Sequence, residues 1–200
     1  MTERRSKKAP TSVDEWRTHI AKALYHCVRK NGYAFTSLNT LAAEAGMSAS
    51  HLRYYFGGKE AVLEFYVEQL CAKFVEQLDE MRPLPPAALI DALTEFCFGE
   101  KVSPARLGVL QEIFALTIHH PRMRRMKSDY DAHVRSMLAD MFAKVPRAPG
   151  LEVADAARLA HALVEGFLHD AVFDGETTLA TPRRLFRETM LKLAGLPPTP

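Results

Sequence analysis

Cysteine is scarce in this chain: Cys27, Cys71 and Cys97 are the whole complement among 200 residues, an odd number with no C-x-x-C spacing. That excludes a disulfide framework, and because each cysteine falls in an apolar helical pattern, all three read as small core side chains rather than redox thiols. Long hydrophobic runs are also missing. No apolar stretch approaches the ~20 residues that span a bilayer, and the basic segment from Met1 to Pro10 has no hydrophobic run behind it. A chain that neither spans a membrane nor carries an export signal is expected, with a cytoplasmic location. The sequence has no G-x-S-x-G, no Walker loop and no dinucleotide fingerprint, so nothing supports catalysis and no cofactor is expected. Strand alternation, internal repeats and low-complexity tracts are absent too.

What is present is a high apolar content, 48% of residues, enough for a substantial core. The formal net charge of +2 conceals an uneven split. Residues 1–59 hold ten Lys and Arg against four Asp and Glu, a charge of +6, whereas residues 60–200 hold sixteen against twenty, a charge of −4. A compact basic end suits a polyanionic partner, although a solvated imbalance would look the same in charge alone.

Helical punctuation recurs along the chain. Ser12 and Glu15 have capping-box spacing ahead of an apolar stripe of Trp16, Ile20, Leu24, Cys27 and Val28, and Asn31-Gly32 stops it. A long amphipathic segment from about Glu60 to Met81 carries Val62, Leu63, Tyr66, Val67, Leu70, Phe74 and Leu78 at helical spacing, and Arg82-Pro83-Leu84-Pro85-Pro86 breaks it. Pro86 to about Gly99 follows as a helix, and Ser103-Pro104 and His120-Pro121 each start another. The segment Val153 to Phe173 is apolar on more than one face and so expects two neighbours. It ends at Asp174-Gly175. Thr181-Pro182 opens a last helix closed by Gly195, ahead of the Pro197-Pro198 tail. The reading is all-α, about nine helices: a flexible basic arm over 1–10, a three-helix domain over 11–59 and a larger helical domain over 60–200.

Between Ser37 and Phe56 the pattern is that of a helix-turn-helix. Leu38, Leu41, Ala42 and Ala45 can pack a short helix, Gly46 turns the chain, and Met47 can plug the corner. Ser48 can cap a second short helix in which Leu52 and Phe56 face inward at i, i+4. Ser50, His51, Arg53 and Tyr54 then point away from the core, as a helix entering a major groove requires. An ordinary tight helical hairpin would share this pattern.

The flanking residues add specificity. Ile20, Ala23, Gly32-Tyr33, Leu41-Ala42, Ala45-Gly46, Ser48, Tyr55-Phe56 and Lys59 together resemble the DNA-binding domain of the TetR family of regulators. The resemblance implies a dimeric, effector-responsive repressor of a near-palindromic, double-stranded DNA operator. It also implies that Tyr55 and Lys59 contact phosphate, while Ser48 suits a helix cap that touches phosphate as well. Where the family commonly carries Tyr on the recognition helix, this chain has Arg53, which can meet guanine O6/N7 bidentately or simply a phosphate. The operator is therefore not transferable from relatives. The basic arm with Arg4, Arg5, Lys7 and Lys8 could reach a minor groove or remain a solvated tail. The alternative function, from another class, is a helical ligand-binding or scaffold protein with a vestigial DNA-binding domain; an α-helical enzyme is a third.

For the larger domain the resemblance implies an effector cavity and a four-helix dimer interface. Phe96, Ile113, Phe114, Met123, Met126, Tyr130 and Phe167 supply aromatic and thioether surface for a small, mostly apolar effector, with Thr117 and His133 as polar anchors. The homodimer interface is expected on the last two long helices, through Leu159, Leu163, Phe167, Leu185 and Met190. No metal is expected. His119 and His120 are adjacent, so on a helix they point ~100° apart, and no third ligand stands at suitable spacing. His161 and His169 read as polar positions of a packed helix.

Overall fold

Ser12 accepts a hydrogen bond from the Glu15 amide at 3.1 Å, and the Glu15 carboxylate accepts the Ser12 amide in return, which closes a capping box and starts the first helix. In the computed structural model, which describes residues 10–173 and 178–197, this is α1, Val13–Asn31. The basic arm with Arg4, Arg5, Lys7 and Lys8, the expected stop at Asp174-Gly175 and Pro198 of the tail lie outside the described residues. The further helices are α2 (Leu38–Glu44), α3 (Ala49–Tyr55), α4 (Lys59–Met81), α5 (Pro86–Phe98), α6 (Pro104–Leu116), α7 (Pro121–Phe142), α8 (Val153–Phe173) and α9 (Ala180–Ala194), with one 3-10 turn at Thr117–His119. Among the described residues there are nine α-helices and no strand. None of these helices is long and apolar enough to cross a membrane.

The chain divides into two compact units, one up to Val67 and one from Glu68, with the boundary inside α4. In the first unit α1, α2 and α3 pack on one another. Ile20, Leu24, Leu41, Leu52, Val62 and Leu63 are fully buried there, joined by Ala23, Ala42 and Ala45 at positions where helix backbones must come close. Arg17 lays its guanidinium over the rings of Phe56 and Phe65, at 5.0 and 4.8 Å from their centroids.

In the second unit α8 packs on α6, α7 and α9, and α5 packs on α9. The several apolar faces of α8 thus find several neighbours. Phe98 anchors this core between Phe186, at a ring separation of 5.4 Å, and Phe167, edge-on at 6.3 Å. Gly195 closes α9 at φ +65°, and a Cβ there would sit 2.9 Å from the Arg147 carbonyl oxygen. Glycine is required on both counts. Arg147 itself has φ 62°, and its guanidinium donates to the carbonyls of Phe142 and Leu151 at 2.9 and 3.2 Å, which ties the turn between α7 and α8.

Candidate nucleic-acid interface

Ser37 caps α2 by accepting the Thr40 amide at 3.0 Å, and Ser48 caps α3 by accepting the His51 amide at 3.1 Å. Between the two helices Gly46 takes φ +69° with nothing within 4 Å of a would-be Cβ, so the left-handed turn, not crowding, calls for glycine. His19 on α1 donates through Nε2 to the Ala45 carbonyl at 3.1 Å and braces this turn. Leu52 and Phe56 are buried, and Ser50, His51, Arg53 and Tyr54 on the other side of α3 are exposed, Tyr54 to 77%.

Tyr55 is half-buried and stacks on Trp16 at 6.1 Å with an interplanar angle of 28°. His51 joins the same group, 6.0 Å from Trp16 and 5.3 Å from Tyr55, so α1 holds two residues of α3 by aromatic contact. Trp16 was legible only as part of the α1 stripe; in place, it is a brace for α3. Lys59, at the start of α4, donates from Nζ to the Tyr33 carbonyl at 3.0 Å and lies 4.0 Å from the centroid of the Tyr33 ring. Desolvation, followed by the nearby Glu60 charge, pushes the Tyr33 phenol up to about 12, so it stays neutral beneath the ammonium. An ammonium has three donors, and this contact uses one.

The residues expected to line an effector cavity are not all brought together. Phe114 and Tyr130 stack at 6.4 Å, and Phe74 on α4 contacts both Tyr130 at 5.8 Å and Phe96 at 5.5 Å. Phe74 was not among the expected lining residues, since its place in the α4 stripe does not say which rings it meets. Met126 is half-buried on α7, while Ile113 and Met123 are packed core residues, 0% and 2% exposed. Phe167 belongs with Phe98 instead. The two polar anchors are engaged elsewhere: Thr117 donates its hydroxyl to the Phe114 carbonyl at 2.7 Å, and His133 pairs with Asp79 at 2.9 Å. Burial pushes the Tyr130 phenol far up, with the nearby Cys97, Glu165, Asp131 and Cys71 adding to the rise. Burial likewise raises the thiols of Cys71 to about 11 and Cys97 to about 12, which keeps them protonated.

On the expected dimer face, α8 buries its alanines, Ala156, Ala157, Ala160 and Ala171, and exposes two large apolar residues, Leu159 and Phe173. Leu159 is 48% exposed, Phe173 is 70% exposed, and Leu163, Phe167 and Leu185 are half-buried. Met190 must be corrected. It is fully buried in the protomer core and offers a partner no surface.

The electrostatic group missed by sequence reading is Lys127, Asp131, His161 and Glu165, joined across α7 and α8. Burial would raise the Asp131 carboxyl, but hydrogen bonds and charge from His161 and Lys127 hold it below the usual carboxylate value. The i, i+4 spacings of Lys127 with Asp131 and of His161 with Glu165 were the available signal.

Comparison with known proteins agrees with this architecture. Residues 20–65 match the model of bacterial regulatory proteins of the tetR family, and residues 85–194 match that of the C-terminal region of BetI-type transcriptional repressors. The chain is 25% identical over 180 residues to the HTH-type transcriptional regulator BetI 2 of Chromohalobacter salexigens, covering 88% of this chain and 86% of that one. It is 22% identical to the BetI regulator of Stenotrophomonas maltophilia over 174 residues, 84% of this chain and 88% of the relative. Among solved structures, a TetR transcription regulator from Haloarcula marismortui shares the fold at a TM-score of 0.76, 20% identity and coverage of 91% and 97%. A transcriptional regulator from Rhodococcus sp. Rha1 does so at 0.75, with 21% identity and coverage of 91% and 99%. With the C-terminal match alone spanning more than half of the sequence, the chain belongs to the TetR family and is a DNA-binding transcriptional regulator.

Proposed function

We propose that the protein is a homodimeric, effector-responsive repressor that places one α3 from each protomer in successive major grooves of a near-palindromic operator. The observation that carries this is the division of α3. Leu52 and Phe56 anchor it, and Ser50, His51, Arg53 and Tyr54 stand in solvent on a basic domain. Arg53 supplies base or phosphate contacts, Tyr54 and His51 apolar and polar contacts, and Ser48, Tyr55 and Lys59 position the helix on the backbone. A vestigial domain has no use for this exposed set.

The dimer reading is supported by the outward apolar residues of α8 and by Leu185 on α9, which one protomer leaves partly uncovered. Two such helices from each copy make a four-helix interface. For the effector, the Phe74, Phe96, Phe114 and Tyr130 rings give a mostly apolar surface, and Met126 beside Tyr130 on α7 extends it. α4 continues without a break from Lys59 to Met81, so it enters both units and is the element whose tilt an effector would bias.

The double variant Leu159→Glu, Leu163→Glu tests the assembly, because Leu159 is 48% exposed and Leu163 half-buried, whereas Phe167 packs against Phe98 in the protomer core. Light scattering should give folded monomers with much weaker operator binding, and a fully dimeric double variant would move the interface elsewhere. Small molecules that stabilise the protein thermally should also release DNA. Hits that stabilise it and leave operator affinity unchanged would remove the allosteric part of the reading.

A further inference from the structure

Three side chains of the C-terminal unit have no part in reading DNA: Asp131 on α7, and His161 and Glu165 one turn apart on α8. Each offers one ligand-capable atom, and these atoms all lie within 4.8 Å of one another. His161 Nε2 is 3.4 Å from Asp131 Oδ1 and 3.7 Å from Glu165 Oε1. Tetrahedral coordination with bonds of about 2.0–2.2 Å separates neighbouring donors by roughly 3.4 Å, so these are ligand spacings as well as ion-pair spacings. The trio comes from two helices that pack on each other, which fixes its geometry better than a loop would.

A cation is already seated there. Lys127 Nζ lies 2.6 Å from Asp131 Oδ1 and 3.3 Å from Glu165 Oε1, on a side chain only 16% exposed, with the Phe114 ring centroid 4.9 Å away. Lys127 balances one of the two carboxylates. A divalent ion would balance both.

We propose that Asp131, His161 and Glu165 form a binding site for one divalent transition-metal ion of the zinc class, and that Lys127 is an internal cation which the metal displaces. The imidazole donor selects for such ions over magnesium and calcium, which take oxygen ligands. Three protein ligands leave a fourth position for water. Because the ligands must be deprotonated, metal and proton compete for His161, and metal and ammonium compete for the carboxylates.

Tag-free, chelator-stripped full-length protein, titrated with zinc chloride by calorimetry and with cobalt(II) chloride by visible absorption, tests this directly without reference to DNA. One ion per protomer is expected, with the cobalt spectrum of an ordered low-coordinate site. His161→Gln and Asp131→Asn should each weaken binding at least about tenfold, the least that loss of supporting groups around a metal typically costs. Lys127→Met should tighten it at least about tenfold, since a like charge a few ångströms away opposes the ion. The His119→Gln, His120→Gln double variant should bind like the parent. The proposal is overturned by the absence of saturable one-to-one binding, by parental affinity in His161→Gln, by parental affinity in Lys127→Met, or by loss of binding in the His119, His120 variant. Circular dichroism and melting curves accompany each variant. Should Asp131→Asn fail to fold, His161→Gln and Lys127→Met decide the matter.

Discussion

Replacing Lys59 by Met separates its contact with Tyr33 from the phosphate contact proposed for the same ammonium. In the protein alone, Nζ donates to the Tyr33 carbonyl at 3.0 Å and sits 4.0 Å above the Tyr33 ring. A charged hydrogen bond contributes about 1.5–3 kcal/mol when buried, and partial exposure of Lys59 brings that down to about 1 kcal/mol. The cation–ring contact adds about 0.5–1 kcal/mol. The variant should therefore lose about 1.5–2 kcal/mol, equivalent to roughly 3–8 °C in Tm for a chain of this size. On DNA, the two remaining donors of each Lys59 are assigned to phosphate. Each lost phosphate contact lowers the slope of log K against log salt by about 0.9, hence about 1.8 for a dimer with two Lys59 residues. Fluorescence anisotropy over a salt series, with melting curves on the same samples, measures both quantities. A lower Tm with an unchanged salt slope would make Lys59 a brace for Tyr33 and refute its phosphate role.

Three further outcomes follow from the geometry. Gly46→Ala should cost about 1–2 kcal/mol by denaturant unfolding, because φ is +69° and no neighbour crowds the position; a neutral substitution would mean that the turn relaxes freely. Arg53→Ala should relax preference at particular base pairs by about 1–3 kcal/mol in competition with single-substituted sites, and a uniform loss across all sites would assign Arg53 to phosphate instead. Asp131 has its carboxyl held below the ordinary value of 3.8, so its contribution to stability is complete above that value and is lost as the pH falls through the lowered one. Asp131→Asn should accordingly flatten the acid limb of a stability curve below about pH 4 and lower stability at neutral pH, and an unchanged acid limb would contradict the network of His161 and Lys127 around it.

Local chemistry made much of the N-terminal unit legible. Ser12 with Glu15, Ser48 three residues before His51, and Gly46 at a left-handed turn are all decided within four residues of sequence, and the structure realises each of them. The split of α3 into Leu52 and Phe56 inside and Arg53 and Tyr54 outside follows from the helical period alone. What escaped depends on contacts distant in sequence. Lys59 meets a carbonyl 26 residues earlier, and Asp131 meets His161 only because α7 and α8 pack together. Periodicity states that α9 is amphipathic but not how it is rotated against α5 and α8, so Met190 and Leu185 looked alike although one is sealed in the core. The expected pocket set mixed true neighbours, such as Phe114 and Tyr130, with Phe167, which meets Phe98. Residue type cannot distinguish rings that share a core from rings that share a cavity.

Selecting bound sites from random duplex DNA with the purified protein asks whether two copies of α3 read a symmetric operator. The enriched motif should hold two inverted half-sites whose centres lie about one helical turn apart, roughly 10 base pairs, or a multiple of that distance. Enrichment of a single asymmetric half-site, or of no motif at low salt, would contradict it.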